Sequence, residues 1–332
     1  MINAEVSEVP FPKIGAGELL IKMKACGLCG TDVEKARGDY TAALPILGHE
    51  AVGIVTSVGE GVIGIQEGDR VFAHHHVPCH ECYYCLHGDQ TVCKKYRSSN
   101  IYPGGFSEFF RVPRWNVSKG GILRLPPSLD FEEASLIEPT GCCVRALDKC
   151  GVKEGDVVLV VGAGPIGILH SILLVSKGAR VVISDISELR LRFAEKYKVE
   201  CVIDAGRQDI TRDVLERTGG RGVDVAIVAS GSPEAVLQGL KSVRMGGRLC
   251  LFGVPAAGSV LDYDLGDIYN SETSIVPSYG ATDTDTAAAL SLIAKNTAGF
   301  RSVITHAFPI TKFAEAVGTI TSGAGMKVVI TP

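Results

Sequence analysis

Residues 157–185, VVLVVGAGPIGILHSILLVSKGARVVISD, constrain the fold of this chain more than any other stretch. The five apolar residues 157–161 have the composition of a strand covered on both faces. Gly162, Gly164 and Gly167 come next as G-x-G-x-x-G; Pro165 suits a first helical turn, and Ile166 completes the motif. An apolar helix runs to about Lys177, and Gly178 ends it. A second strand, 180–184, leads to Asp185, eighteen residues past Gly167. Strand, glycine loop, helix, strand and carboxylate in that order make a dinucleotide-binding unit. The glycines let the backbone approach a pyrophosphate, and the helix N-terminus offers it free N–H groups and a positive dipole end. The Asp185 carboxylate can accept hydrogen bonds from both ribose hydroxyls of the adenosine. A bare glycine motif is weak evidence; this context makes it specific.

With 332 residues, 46% of them hydrophobic, the chain has material for two domain cores. A net charge of −4 without a basic block argues against nucleic acid as a partner. Residues 157–176 are long and apolar enough to span a bilayer, but three glycines and Pro165 divide them into a strand and a helix, so no membrane partner is expected. His170 then reads as a packed helix residue. The first nine residues contain no apolar core of a signal peptide, and the expected location is the cytoplasm. Eleven cysteines in such a chain suggest metal binding rather than disulfides.

The first 136 residues read as β-rich, with short runs at 19–23, 51–57 and 70–73 punctuated by glycine and proline. From 157 onward strands alternate with helices: strands at 224–229 and 248–252, helices at 187–197 and 233–243. That alternation implies a doubly wound parallel sheet, so the fold class is α/β. The tail adds a helix at 284–294, a strand near Val303, a helix near Lys312 and a last strand at 327–331.

Two groups of potential metal ligands stand in the β-rich part. Cys29 is followed twenty residues later by His49 and Glu50, and Glu138 is a plausible third ligand. A catalytic zinc uses three such residues and keeps one position open. A thiolate and a carboxylate neutralise the ion while it keeps Lewis acidity toward an alcohol oxygen. A buried cysteine beside an unrelated histidine is the competing reading for these residues taken alone. The second group, Cys79-x2-Cys82-x2-Cys85-x7-Cys93, is sharper. Four thiolates close a tetrahedral site, which makes that zinc structural; a disulfide pair or an iron–sulfur cluster are the alternatives. His74, His75 and His76 directly follow an apolar run and read as a strand end leading into the lobe, and His80 and His87 are not needed as ligands.

Together, Cys29-Gly30-Thr31-Asp32, Gly48-His49-Glu50 with Gly53, Gly59, Gly68-Asp69-Arg70-Val71, the four-cysteine lobe and the glycine loop resemble the zinc-dependent medium-chain alcohol and polyol dehydrogenase family over nearly the whole chain. The resemblance implies a GroES-like catalytic domain at 1–139 and 277–332, with the lobe at about 78–94, and a Rossmann NAD-binding domain at 140–276. It implies a catalytic zinc on Cys29 and His49, with Glu50 adjacent and sometimes bound, and one structural zinc per subunit. Thr31 would hydrogen-bond the substrate oxygen, and Asp32 would orient His49 from behind. Glu138-Pro139 resembles the sorbitol dehydrogenase-like branch. Family habit also implies a homo-oligomer, a tetramer more than a dimer.

The sequence departs from that pattern at Glu34, where many relatives carry a proton-relay histidine; Glu34 either carries a proton itself or is a solvated carboxylate. Residues 8–10 and 15–22 match the segment that comes after an opening strand in the family, so that strand is expected to be absent or short. Val254, after a strand, is expected near the nicotinamide, Arg190 over the adenine, and Lys327 near the pyrophosphate. Cys26, Cys142, Cys143, Cys150, Cys201 and Cys250 read as core or surface thiols, with Cys142 and Cys143 kept as alternative ligands. The expected activity is reversible hydride transfer between NAD and a secondary alcohol or polyol. Its rivals are a broad aliphatic alcohol dehydrogenase with an apolar pocket of Phe106, Trp115 and Tyr40, and a non-catalytic protein that retains the fold.

Overall fold

Glycines and prolines break the first part of the chain into short strands: β1 (Leu19–Leu28), β2 (Glu50–Val58), β3 (Arg70–His74), β4 (Phe109–Val112) and β5 (Ile122–Arg124). The computed structural model describes residues 6–37, 47–295 and 299–332; Tyr40 lies outside them. The chain divides into two compact units, 1–141 with 281–332 and 142–280. In the first unit β1 pairs antiparallel with β2 and with β4, β2 with β3, and β3 with β5. Leu19, Ile21 and Met23 alternate along β1 into a core that includes Val71, Phe110 and Val328. Across the strands, Gly27 of β1 stands opposite Glu50 of β2, which stands opposite His74 of β3. Cys29, His49 and His75 therefore all lie at one end of this sheet.

In the second unit the apolar run becomes β6 (Val157–Val161), buried at all five positions. β7 (Arg180–Asp185), β8 (Cys201–Asp204), β9 (Val223–Val228), β10 (Val243–Leu251) and β11 (Ser274–Pro277) complete a parallel sheet in the order β11-β10-β9-β6-β7-β8. The helix Pro165–Ser176 joins β6 to β7, so the order reverses beside β6, where open parallel sheets bind their ligands. β10 starts earlier than the apolar run at 248–252 suggests, and the ladder shifts register between Val243 and Arg248, where Gly246 takes a φ of 67°. Residues 187–197 form the helix Glu188–Ala194 and then a tighter turn, Glu195–Tyr197. No helix among the described residues is long and apolar enough to cross a membrane.

The tail returns to the first sheet as β12 (Ile304–Pro309) and β13 (Lys327–Thr331). β13 pairs antiparallel with β1, setting Val329 opposite Gly27. Gly27 is thereby flanked by Glu50 of β2 on one side and by Val329 of β13 on the other.

Candidate active site and metal centres

In the second unit the glycine loop packs to its limit. A Cβ on Gly167 would lie 1.8 Å from the Gly162 carbonyl oxygen, so only glycine lets the helix start this close to β6. Gly164 caps that helix, with Pro165 in its first turn. The Asp185 carboxylate, at the end of β7, accepts the Ala163 N–H at 2.7 Å and the Ser187 N–H at 2.9 Å. It thus fixes the loop it was expected to complement. A cavity of about 320 Å³ opens here, lined by Gly162, Gly164, Asp185, Ile186, Arg190 and Ser230 among others. Arg190 Nη1 stands 3.7 Å from Asp185 Oδ2. Pro165 and Ile166 sit half-buried in the first helical turn, and Val254, past the end of β10, is 53% exposed.

At the end of the first sheet, ligand atoms of Cys29, His49 and Glu50 lie within 4.8 Å of one another. Asp32 organises them. Its Oδ2 accepts the Cys29 N–H, its Oδ1 accepts the Gly48 N–H, and Oδ1 also meets His49 Nδ1 at 3.1 Å. The helix Gly30–Arg37 supplies Asp32 in its first turn, together with Thr31 and Glu34. Burial alone would depress the His49 imidazole, but the Asp32 carboxylate and Cys29 outweigh it and hold the ring well above its usual pKa. Asp32 is likewise held below the usual carboxylate range: burial opposes ionisation, and His49 with the two N–H donors overcomes it. A divalent ion can take the place of the proton on this anion-surrounded ring.

Glu138, in the first turn of the helix Ile137–Cys150, is buried but is not among the atoms gathered within that distance; Glu50 is. The donor set brought together is therefore Cys29, His49 and Glu50, not the expected trio with Glu138. Lys327 also departs from expectation. Its ammonium, expected at a pyrophosphate, is buried against the Glu50 carboxylate, 2.6 Å from Oε1 and 2.5 Å from Oε2. A Cβ on Gly27 would come within 1.7 Å of Glu50 Oε2 and 2.9 Å of Lys327 Cε, so this glycine is the floor on which the pair rests. Sequence reasoning missed that role, because Gly27 belongs to no motif.

In the lobe, the Cys79, Cys82, Cys85 and Cys93 sulfurs form the second group. Cys79 lies 3.8 Å from Cys85 and 3.6 Å from Cys93, and Cys82 lies 3.6 Å from Cys85. A tetrahedron with Zn–S bonds of about 2.3 Å has sulfur–sulfur edges of about 3.8 Å, whereas a disulfide holds its sulfurs about 2.05 Å apart. The spacing fits zinc and excludes a bridge, and all eleven cysteines are free. Backbone N–H groups lower the Cys79 thiol, while burial and neighbouring sulfurs raise Cys85.

Trp115 belongs to this lobe and not to an apolar substrate pocket. Its indole donates to Val77 O at 3.0 Å, and Lys95 and Lys119 lie over its ring. Phe106 packs on Phe313, with ring centroids 5.0 Å apart. His74 ends β3, and its Nε2 meets Ala281 O at 3.0 Å; His76 Nδ1 meets Ser99 O at 2.7 Å. His170 is buried with neither ring nitrogen hydrogen-bonded.

Residues 15–126 match the family description "alcohol dehydrogenase GroES-like domain", and residues 165–295 match "zinc-binding dehydrogenase". A sorbitol dehydrogenase of Halalkalibacterium halodurans is 32% identical over 98% of this chain and 95% of its own. An L-threonine 3-dehydrogenase of Pyrococcus furiosus is 38% identical over 79% of this chain and 76% of its own. A zinc-binding dehydrogenase structure from Sinorhizobium meliloti, bound to NADP, is 28% identical with a TM-score of 0.89, covering 98% of this chain and 94% of its own.

Proposed function

This chain belongs to the zinc-dependent medium-chain alcohol and polyol dehydrogenase family, and from that premise we propose that it moves hydride reversibly between NAD and a secondary alcohol or polyol, with a ketone as product. It is an oxidoreductase of alcohols with a GroES-like and a Rossmann domain, and its cofactors are zinc and a nicotinamide dinucleotide. The observation that carries the substrate reading is the mixed donor set of Cys29, His49 and Glu50, convergent within 4.8 Å and braced by Asp32. The relatives named for sorbitol and for carbon 3 of threonine support secondary hydroxyls.

When bound, zinc in such a set would supply Lewis acidity toward a hydroxyl oxygen, and a nicotinamide dinucleotide would supply the acceptor for the hydride and its electron pair. The chain's own residues do the rest. Cys29 and His49 would hold the ion, with Glu50 or Glu138 as third ligand. Asp32 keeps the Nδ1 face of His49 occupied, which leaves Nε2 for the metal. Thr31 would take the hydroxyl proton and Glu34, one helical turn on, would pass it outward. Gly162, Gly164 and Gly167 with the helix N-terminus would hold the pyrophosphate, Asp185 and Arg190 the adenosine, and Val254 the nicotinamide side. Cys79, Cys82, Cys85 and Cys93 would hold the structural zinc. Zinc analysis combined with NADH formation on sorbitol, 2,3-butanediol, 2-butanol and 1-butanol tests the reading. A primary alcohol as the best of the four would return it to the broad aliphatic alternative.

The catalytic domain would comprise 1–139 with 277–332, and the NAD-binding domain 140–276. Association into a homo-oligomer is supported by the sheet edge at β11, where Ile275 is 40% exposed and nearby Leu265 and Tyr269 are 78% and 83% exposed; a tetramer more than a dimer is what the family resemblance implies. Light scattering tests it. A cytoplasmic location suits eleven free thiols, four of them set for a metal.

A further inference from the structure

Three consecutive histidines leave β3, and the backbone holds each in place. Asn116 Nδ2 donates to the His74 and His75 carbonyl oxygens, at 2.9 Å each. His74 and His76 each spend a ring nitrogen on a backbone carbonyl. His75 does not. Its side chain is 9% exposed, its Nδ1 is fully buried, and among the described residues its ring makes no hydrogen bond. Its contacts include three rings: His49 at 5.1 Å between centroids, His74 at 5.4 Å and His76 at 4.0 Å.

A buried polar nitrogen without a partner costs stability and calls for an explanation in the resting protein. This one lies against the ring of a metal ligand, at the end of the sheet where Cys29, His49 and Glu50 converge. Apolar packing would be served better by leucine or phenylalanine at the same position. An imidazole there offers a hydroxyl group what neither can, a donor or an acceptor. We propose that His75 is a specificity-determining residue: it hydrogen-bonds a second oxygen of the substrate, next to the carbon being oxidised, and so selects vicinal diols over simple secondary alcohols. The inference rests on the dehydrogenase reading and adds to it the substrate class and the residue that recognises it.

The test compares 2,3-butanediol with 2-butanol, two substrates of one carbon skeleton that differ by that oxygen. One hydrogen bond corresponds to a roughly two- to twelve-fold preference for the diol. In His75→Phe the kcat/KM ratio of diol to monoalcohol should fall by that factor, whatever the change common to both alcohols. His75→Gln, which retains a donor and an acceptor, should restore part of it. Dissociation constants of the two alcohols for the enzyme–NADH complex should show the same loss, without any reaction step. A residue that merely packs would change both alcohols alike. An unchanged ratio in His75→Phe, with binding unchanged, overturns the inference while the dehydrogenase reading stands. If His75→Phe does not fold, His75→Gln and His75→Leu decide by the same ratio. Wild-type protein that oxidises neither of these alcohols nor sorbitol overturns the secondary-alcohol reading and this inference with it.

Discussion

Lys327 closes on Glu50 from 277 positions away, its ammonium 2.5 Å from one carboxylate oxygen and 2.6 Å from the other, with both side chains buried. Two charges taken out of water balance each other only while both are present. Lys327→Met should therefore strand a buried anion and lower the stability of the zinc-loaded protein by about 3–5 kcal/mol. Adding Glu50→Gln should recover part of that loss, because the stranded charge is gone. Urea unfolding of the single and double variants measures both. A loss under about 1 kcal/mol in Lys327→Met would mean that the metal, and not Lys327, balances Glu50.

The same pair marks where sequence reasoning stops. The glycine loop and the four cysteines were readable because their partners are neighbours in the chain: Gly167 packs on Gly162, and Cys79 meets Cys82, Cys85 and Cys93. Periodicity was enough for β6, β7 and the helix between them. Contacts made by strand pairing were not readable. The placement of β13 beside β1 is what delivers Lys327 to Glu50, and no local pattern in residues 327–331 carries it. Trp115 shows the same limit from the other side. An aromatic ring fits a pocket wall or a zinc lobe equally well by composition, and only the fold puts its indole on Val77 O.

Purified, zinc-replete protein should contain two zincs per chain with separable roles. Cys85→Ala should retain about one zinc and lose chiefly stability, since the lobe depends on four thiolates. Parallel Glu50→Ala and Glu138→Ala variants identify the third ligand of the open site: the one that loses the second zinc under mild chelation is the ligand. The structure favours Glu50, whose carboxylate is already gathered with Cys29 and His49. Less than one zinc per chain in the wild type would remove the two-site assignment altogether.

NAD should be preferred over NADP. A 2′-phosphate would approach the Asp185 carboxylate, whose oxygens already accept two backbone N–H bonds and are fixed in place. Two anions a few ångströms apart repel by more than about 1 kcal/mol at a surface-like dielectric. Arg190, 3.7 Å from that carboxylate, offsets part of this, so the preference should be about five- to tenfold rather than absolute. Asp185→Asn should narrow it and Arg190→Ala should widen it. Equal kcat/KM for the two cofactors in the wild type contradicts the reading, and would align this chain with its NADP-bound Sinorhizobium relative.

His170 should set part of the acid limit of the second unit. Burial alone depresses its imidazole to about 3, because neither ring nitrogen has a partner to stabilise a charge. In the unfolded chain the same group titrates near 6.5. Between those values the unfolded state binds a proton that the folded state refuses. The contribution is thus fully present above about pH 6.5 and is lost as pH falls. For this one group the loss from pH 7 to pH 5 is about 2 kcal/mol. His170→Leu removes the titration and fills the space edge-on to Phe252 with an apolar side chain. The variant should match or exceed the wild type at pH 7 and lose about 2 kcal/mol less on acidification to pH 5. His74 and His76, which burial holds near 4, push in the same direction and remain in both proteins, so the difference between the two curves isolates His170. Urea unfolding at pH 7, 6 and 5 measures it, and parallel stability–pH curves for the two proteins would show that His170 finds a proton acceptor or water inside the fold.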